Sequence, residues 1–142
     1  MTRVDFYFNV QDKFRLAARL GSKAMEQSAR LFVYTPDASA TIQIETLFWT
    51  MGQTSFLPHC RSQHPLAHET PIIVDHEAKV IPHDDVLLNL GESHPPFFSR
   101  FQRLIEVVGC DADDKASARV RYKFYRDRGY EICDHDMMGR AV

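Results

Sequence analysis

The sequence predicts an α/β, single-domain, Rossmann-like layered fold, with a largely parallel sheet flanked by helices and no glycine-rich nucleotide loop. Short apolar runs alternate with longer amphipathic stretches in the order strand, helix, strand, helix, then strands and a late helix, the pattern that builds parallel sheets through helical crossovers. The chain has 142 residues, 44% hydrophobic and 11% aromatic, enough for one buried core and far from a disordered composition. The first strand–helix turn, Phe8-Asn9-Val10-Gln11-Asp12-Lys13, contains no glycine. The backbone there cannot approach a pyrophosphate as it does in a dinucleotide fold. No stretch is long or biased enough to divide residues 1–142 into two domains. The core is expected over about residues 4–135, with a flexible tail at 136–142.

Each element has a local reason. Residues 4–8 are apolar and aromatic without a helical period and predict a first strand. Residues 11–28 lack proline and predict a helix, with Phe14, Ala17, Ala18, Leu20, Ala24 and Met25 toward the core. Gly21 weakens that helix by roughly 1 kcal/mol relative to alanine. Residues 31–34 predict a second strand, and Asp37 is placed to cap a second helix over 38–51. Ile42, Ile44, Leu47, Phe48 and Trp49 give that helix a broad apolar face, and Gly52 ends it. Residues 56–59 predict a short extended piece and 60–70 a polar, histidine-rich surface loop. Further strands are expected at 71–74 and 86–90, a helical turn at 97–101 and another strand at 104–108. After a basic helix, residues 130–133 predict a last strand, and the chain beyond Asp134 is expected to fray.

Several function classes are disfavoured. No apolar run approaches the ~20 residues of a membrane span, and the N-terminus lacks the apolar core of a signal peptide. Cys60, Cys110 and Cys133 are odd in number, far apart and outside any CxxC, which fits a reducing compartment; a soluble, cytoplasmic protein is expected. Gly21-Ser22-Lys23 resembles the end of a phosphate loop but lacks the upstream glycine and sits inside a helix. His59, Cys60, His64 and His68 are metal-ligand types, yet their spacing matches no recurrent zinc pattern. Pro65 also prevents an ordinary helix from presenting His64 and His68 together. Asp75, Glu77, Asp84 and Asp85 form no recognisable catalytic pair, and there is no G-x-S-x-G motif. No metal, cofactor or catalytic residue is therefore expected.

The most informative stretch is 115–129, KASARVRYKFYRDRG. It holds six cations (Lys115, Arg119, Arg121, Lys123, Arg126, Arg128) and one acid, leaving 11 cations against 18 acids elsewhere. It reads as a helix stopped by Gly129. At about 100° per residue, Ala118, Tyr122 and Tyr125 share an arc, with Lys115, Arg119 and Arg126 on one side and Arg121 and Arg128 on the other. An aromatic strip bordered by cations suits an acidic, partly apolar partner. The same pattern also describes a helix that packs its tyrosines on a sheet among solvated arginines. Trp49 and Phe56 carry a similar ambiguity: core packing is the ordinary fate of aromatics, and a protein-binding edge is the other.

Taken in order, these pieces resemble the chi subunit family of bacterial DNA polymerase III. The resemblance is carried by Phe6-Tyr7, by Glu45 with Leu47-Phe48-Trp49, and by Phe56-Leu57-Pro58-His59. It continues through Pro71-Ile72, Leu88-Asn89-Leu90, Pro96, Phe98, Phe101 and Glu106-Val107-Val108. Its most specific part is Ala118-Arg119-x-Arg121-Tyr122-Lys123-x-Tyr125-Arg126-x-x-Gly129. It covers residues 4 to about 135. Glu45 stands where the family commonly has an aspartate, and the histidine-rich loop and C-terminal tail are particular to this chain.

The resemblance implies a non-catalytic accessory subunit of the DNA polymerase III clamp-loader complex, acting in DNA replication. It would bind the acidic C-terminal tail of single-stranded DNA-binding protein, which ends in Pro-Phe with a free carboxylate, and link it to the clamp loader through the psi subunit. Carried over by motif, the tail site is Lys115, Arg119, Tyr122 and Lys123; Arg126 joins them from its place on the wheel. Trp49 and Phe56 would face psi or a competing partner such as a helicase. Direct tight DNA binding is not expected, because the acidic remainder repels phosphates. The alternative is a direct single-stranded nucleic-acid-binding module that uses the same basic aromatic helix.

Overall fold

The computed structural model describes residues 1–50 and 58–138. In chain order these form β1 (Arg3–Val10), α1 (Lys13–Glu26), β2 (Leu31–Tyr34), α2 (Ala38–Thr50), β3 (His59–Cys60), β4 (Ile72–Asp75), β5 (Val86–Asn89), β6 (Arg103–Gly109), α3 (Ala112–Asp127) and β7 (Ile132–Asp136). Short 3₁₀ turns lie at Ala67–Glu69 and Phe98–Arg100. The strands make one seven-stranded sheet in the order β3-β4-β2-β5-β6-β1-β7. Every pairing among them is parallel. The predicted α/β layered architecture is the observed one.

Both faces of the sheet are covered, as a parallel sheet requires. On one face α1 and α2 bury Leu16, Ala17, Ala24, Ile44 and Phe48 against Val33, Ile72, Val74, Leu88 and Val107. On the other, α3 and the Phe98–Arg100 turn bury Ala118, Tyr125 and Phe98 against Val4, Phe6, Phe32, Leu87 and Leu104. The helix starts are capped as their sequences dictate: Asp12 accepts from Arg15 N–H and Asp37 from Ala40 N–H at 2.8 Å. Gly129 ends α3 at φ 81°, where Gly129 N–H bonds Arg126 O and Tyr130 N–H bonds Tyr125 O. That is a Schellman closure, which favours glycine.

Strand β1 breaks its own alternation. Val4, Phe6 and Phe8 point to the α3 face, yet Val10 lies in the α1–α2 layer. The register against β6 shifts between Tyr7 and Val10, with Asn9 at φ 58°. One extra residue bulges the strand and turns Val10 to the opposite face.

Buried charge ties the layers together. Glu106 and Arg121 are fully buried. The Glu106 carboxylate accepts from Arg121 Nε at 3.0 Å, Tyr125 OH at 2.5 Å and Asn89 Nδ2 at 3.1 Å. Burial pushes the Glu106 pKa up, while the Arg121 charge and the Tyr125 and Asn89 bonds pull it back. Asp5 on β1 is also buried and bonds Arg103 at 2.6 Å and His135 at 3.0 Å, joining three neighbouring strands.

Four sequence expectations change. The last strand is Ile132–Asp136 and not 130–133, and the chain beyond Asp134 does not fray within the described residues: Met137 N–H still bonds Phe8 O at 2.8 Å. The backbone pairing with β1 supplies a reason that side-chain pattern does not reveal. His59–Cys60, expected at the border of a loop, adds an edge strand beside β4. The histidine-rich segment is partly anchored, because Ser62 is buried and donates to Asp75 Oδ2 at 2.7 Å. The broad apolar face of α2 is split: Ile44 and Phe48 are buried, while Ile42 and Trp49 are 55% and 61% exposed.

The buried polar groups generate two stability predictions. Replacing Arg121 by Met strands the Glu106 carboxylate, and urea unfolding should register a loss of about 3–5 kcal/mol. Combining it with Glu106→Gln should cost less than the sum of the singles by about 1–3 kcal/mol. The second concerns His83, which is 5% exposed and has no hydrogen-bond partner for either ring nitrogen among the described residues. Burial, then the Arg30 charge, lowers its pKa from 6.5 to about 4. Between those values the unfolded chain binds the proton and the folded chain does not, so stability is complete above pH 6.5 and falls as pH drops toward 4. A His83→Met variant should gain on the native protein by up to about 1.4 kcal/mol per pH unit over that window. Urea midpoints at neutral and mildly acidic pH check it; an equal gap at both would refute it.

Candidate functional site

The rotation of α3 decides which of its cations are available. Measured from buried Arg121 at about 100° per residue, Tyr125 and Ala118 come next, then Tyr122 and Lys115, then Arg126, Arg119 and Lys123 farthest round. Exposure runs in the same order: Arg121, Tyr125 and Ala118 are buried, Tyr122 and Lys115 half-buried, and Arg126, Arg119 and Lys123 exposed. The six cations of the sequence are therefore not equivalent. Arg121 is a core residue, bonded also to Glu92 O and Ser117 Oγ. Arg128 lies 3.6 Å from the centre of the Phe124 ring, whose face stacks with His94 at 3.7 Å. The remaining four, Lys115, Arg119, Lys123 and Arg126, line one cleft together with Tyr122.

That cleft holds about 590 Å³. Phe8, Val108 and Ala118 give it an apolar floor, and Asn9 and Asp136 stand on the rim opposite α3. Phe8 reaches this floor by the regular alternation of Val4, Phe6 and Phe8, just before the β1 bulge turns Val10 to the other face. Tyr122 lies across Phe6, ring centres 5.0 Å apart, and its hydroxyl donates to Asp134 Oδ2 at 3.3 Å. Burial first, and the Asp134 carboxylate second, raise the Tyr122 pKa, so it is a neutral donor at physiological pH. Among the described residues no acid forms an ion pair with Lys115, Arg119 or Lys123, and Arg126 has only a long contact of 3.7 Å to exposed Asp127. An apolar floor beside unpaired cations can take a ligand with a hydrophobic group and an anionic group close together.

All five tail-site residues expected from the sequence thus meet in one place. Sequence reasoning missed the other walls. Phe8 and Val108 were legible only as strand residues, and Asn9 and Asp136 fell outside the expected strands. The alternation of Phe6 with Phe8 was the available signal. Trp49 lies on the outer face of α2, well away from the core role open to it in sequence terms, and its ring meets His59 edge-on at 5.9 Å. Phe56 lies outside the described residues. Glu45, on the same helix, pairs with Arg61 at 3.1 Å.

The place where an α/β sheet ordinarily binds a nucleotide is lined by the chain's own acids. The connection from β1 leads toward β2 through α1, and that from β6 leads to β7 through α3, so the topological switch point lies between the ends of β1 and β6. There Asp12 and Asp111 cap the two helices, and Asp114 Oδ2 accepts from Gly109 N–H at 2.5 Å and Lys13 Nζ at 3.1 Å. Carboxylates fill the positions where phosphate oxygens would sit. Among the described residues no group of three or more His, Cys, Asp or Glu could hold a metal ion, and no helix is long and apolar enough to cross a membrane.

Comparison with known proteins gives the family. The family model described as DNA polymerase III chi subunit, HolC, matches residues 1–133. The DNA polymerase III subunit chi of Pseudomonas aeruginosa is 29% identical over 139 residues, covering 95% of this chain and 96% of that protein. The proteins of the same name from Haemophilus influenzae and Escherichia coli are 25% and 22% identical, each covering more than four-fifths of both chains. With its model spanning nearly the whole domain, from before β1 into β7, this chain belongs to the DNA polymerase III chi subunit family, accessory subunits of that polymerase.

Proposed function

We propose that this protein is a non-catalytic adaptor of the clamp-loader complex that holds the acidic C-terminal tail of single-stranded DNA-binding protein in the α3 cleft and connects it to the clamp loader through psi. The observation that carries the proposal is the cleft itself, where Phe8, Val108 and Ala118 lie beside Lys115, Arg119, Lys123 and Arg126. The end of a peptide supplies both matching groups, an aromatic side chain for the floor and a free carboxylate for the cations. Upstream acids of the tail would meet the rest of the cationic stripe. Ordering a disordered tail costs free energy, so a single tail binds weakly, and several tails on one assembly raise the effective affinity.

A second surface supports the linking role. Ile42 and Trp49 stand one above the other on the exposed face of α2, seven residues apart, and offer an apolar docking strip remote in sequence from α3. We assign psi, or a helicase that competes with it, to this strip; Phe56 joins by motif alone.

Reversing Arg119 to Glu should weaken binding of a synthetic acidic peptide ending in Pro-Phe by at least about tenfold, or 1.4 kcal/mol. Stability should change by no more than about 0.5 kcal/mol, because Arg119 is exposed. Fluorescence anisotropy and urea unfolding measure the two effects, and unchanged peptide affinity in a folded variant would remove the site assignment. Raising salt should weaken the native complex, since exposed ion pairs are screened over ~8–10 Å. Trp49→Ala should leave peptide affinity unchanged and weaken capture of purified psi; loss of peptide binding instead would mean the two surfaces are not separate.

A further inference from the structure

The rim of the cleft opposite α3 carries a charge of the other sign. Asp136 lines the cleft, and Asp134, on the same strand, accepts the Tyr122 hydroxyl. Neither carboxylate hangs loose. Asn9 Nδ2 and Met138 N–H both donate to Asp136 Oδ1 at 2.9 Å, and Asn9 reaches it from a left-handed backbone conformation at φ 58°. Asparagine tolerates that conformation better than most residues. The bulge in β1 therefore brings Asn9 to hold an acid at the edge, next to Phe8 on the floor. The cleft thus has four cations on α3 and Asp136 on β7, with Asp134 bonded to Tyr122 of its lining.

We propose that Asp134 and Asp136 are specificity-determining residues, which make the cleft accept the carboxylate end of a peptide and reject single-stranded nucleic acid. The inference rests on the reading of the α3 cleft as a peptide site. On its cations and rings alone, the cleft would suit a nucleic-acid strand: bases could stack on Tyr122 and Phe8 while phosphates met Arg119 and Lys123. A strand carries a charge at every phosphate, however, and cannot cross the cleft without bringing one beside Asp134 or Asp136. Like charges set against each other reject a wrong partner, where good contacts alone would not. A peptide end meets no such conflict. Its charge sits on one side, and its backbone N–H groups can face the β7 carboxylates. The general acidity of the chain repels phosphates only diffusely and is screened by salt, whereas two acids fixed at the rim act at contact.

The test uses the full chain with Asp134→Asn and Asp136→Asn together. Asparagine removes the charge and keeps one acceptor oxygen for Tyr122, or for Asn9 and Met138 N–H. Anisotropy is measured with two labelled probes, oligothymidylate and the acidic peptide ending in Pro-Phe, at a fixed salt near 0.1 M. The expected result is a gain of at least about tenfold for the oligonucleotide and less than about threefold for the peptide. An equal gain for both, or none for the oligonucleotide, overturns the proposal. Should the native protein fail to bind the peptide, the peptide reading of the cleft fails, while the oligonucleotide ratio still decides the role of the acids. Asp134→Asn alone, at an exposed position, gives the same decision on its own if the double variant does not fold, with a gain for the oligonucleotide that exceeds the gain for the peptide.

Discussion

The carboxylate of Glu106 sits inside the molecule with donors from two other elements around it: Asn89 from β5, and Arg121 and Tyr125 from α3, the acid itself being on β6. A buried pair of this kind adds little net stability compared with apolar packing, because desolvation cancels much of the attraction. Its value here is geometric. Arg121 and Tyr125 can both reach Glu106 only when α3 is turned one way about its axis and set at one height along the sheet. Arg119 and Lys123 each lie about 200° from Arg121 around the helix, so pulling Arg121 inward aims them outward. An α3 held by hydrophobic contacts alone could roll by a fraction of a turn and exchange one apolar side chain for another. The charged anchor removes that freedom and fixes the cationic stripe over the β1 bulge.

The same economy explains what became of the Rossmann-like switch point. Two helix N-termini converge at the ends of β1 and β6, an arrangement that elsewhere attracts phosphate. This chain satisfies those N–H groups with Asp12, Asp111 and Asp114 and neutralises part of the charge with Lys13. Gly109 sits close beneath: a Cβ there would meet Asp114 Oδ2 at 3.0 Å. The fold's ordinary ligand position is thereby lined with acids that disfavour phosphate, while the apolar cleft with four cations lies on the face of α3. Fold and site are decoupled, as expected when a scaffold is shared by unrelated functions.

How far the sequence could be read depended on whether the signal was local. The parallel α/β architecture, the caps at Asp37 and Gly129, and the four cations of the stripe with Tyr122 were legible, because helix periodicity and capping chemistry act within one or two turns. The end of β7 was not, since Asp134, His135 and Asp136 have no apolar alternation and become a strand only by pairing with β1. The same holds for Asn9, which reads as part of the turn after the first strand and is a bulge within it. Arg121 could be separated from the other cations by the wheel but not identified as the buried one, for its partner Glu106 lies in a different element. Trp49 was undecidable, because a helix that packs with only part of an apolar face looks the same in sequence as one that packs with all of it.

The stripe on α3 is costly for the isolated chain. Lys115–Arg119 and Arg119–Lys123 are like-charge pairs at i,i+4, and Lys123–Arg126 is one at i,i+3. Together they oppose the helix by roughly 1 kcal/mol. The helix carries compensations at its ends: Asp111 caps it, Asp113 and Asp114 favour its first turn, Arg126 its last, and Gly129 closes it. A surface that needed only solubility would have mixed the signs, since alternating charges along α3 would remove the repulsion at no loss of hydration. Acids are present nearby, on β7, but held across the cleft by Asn9, Met138 N–H and Tyr122, where they do not neutralise the stripe. Among the described residues, Lys115, Arg119 and Lys123 thus have no ion-pair partner, Arg126 has only the long Asp127 contact, and the β7 acids stand on the other side of one apolar floor. That separation leaves the repulsion within the stripe uncompensated in the free protein, and a ligand bringing its own negative charge to the α3 side would relieve it.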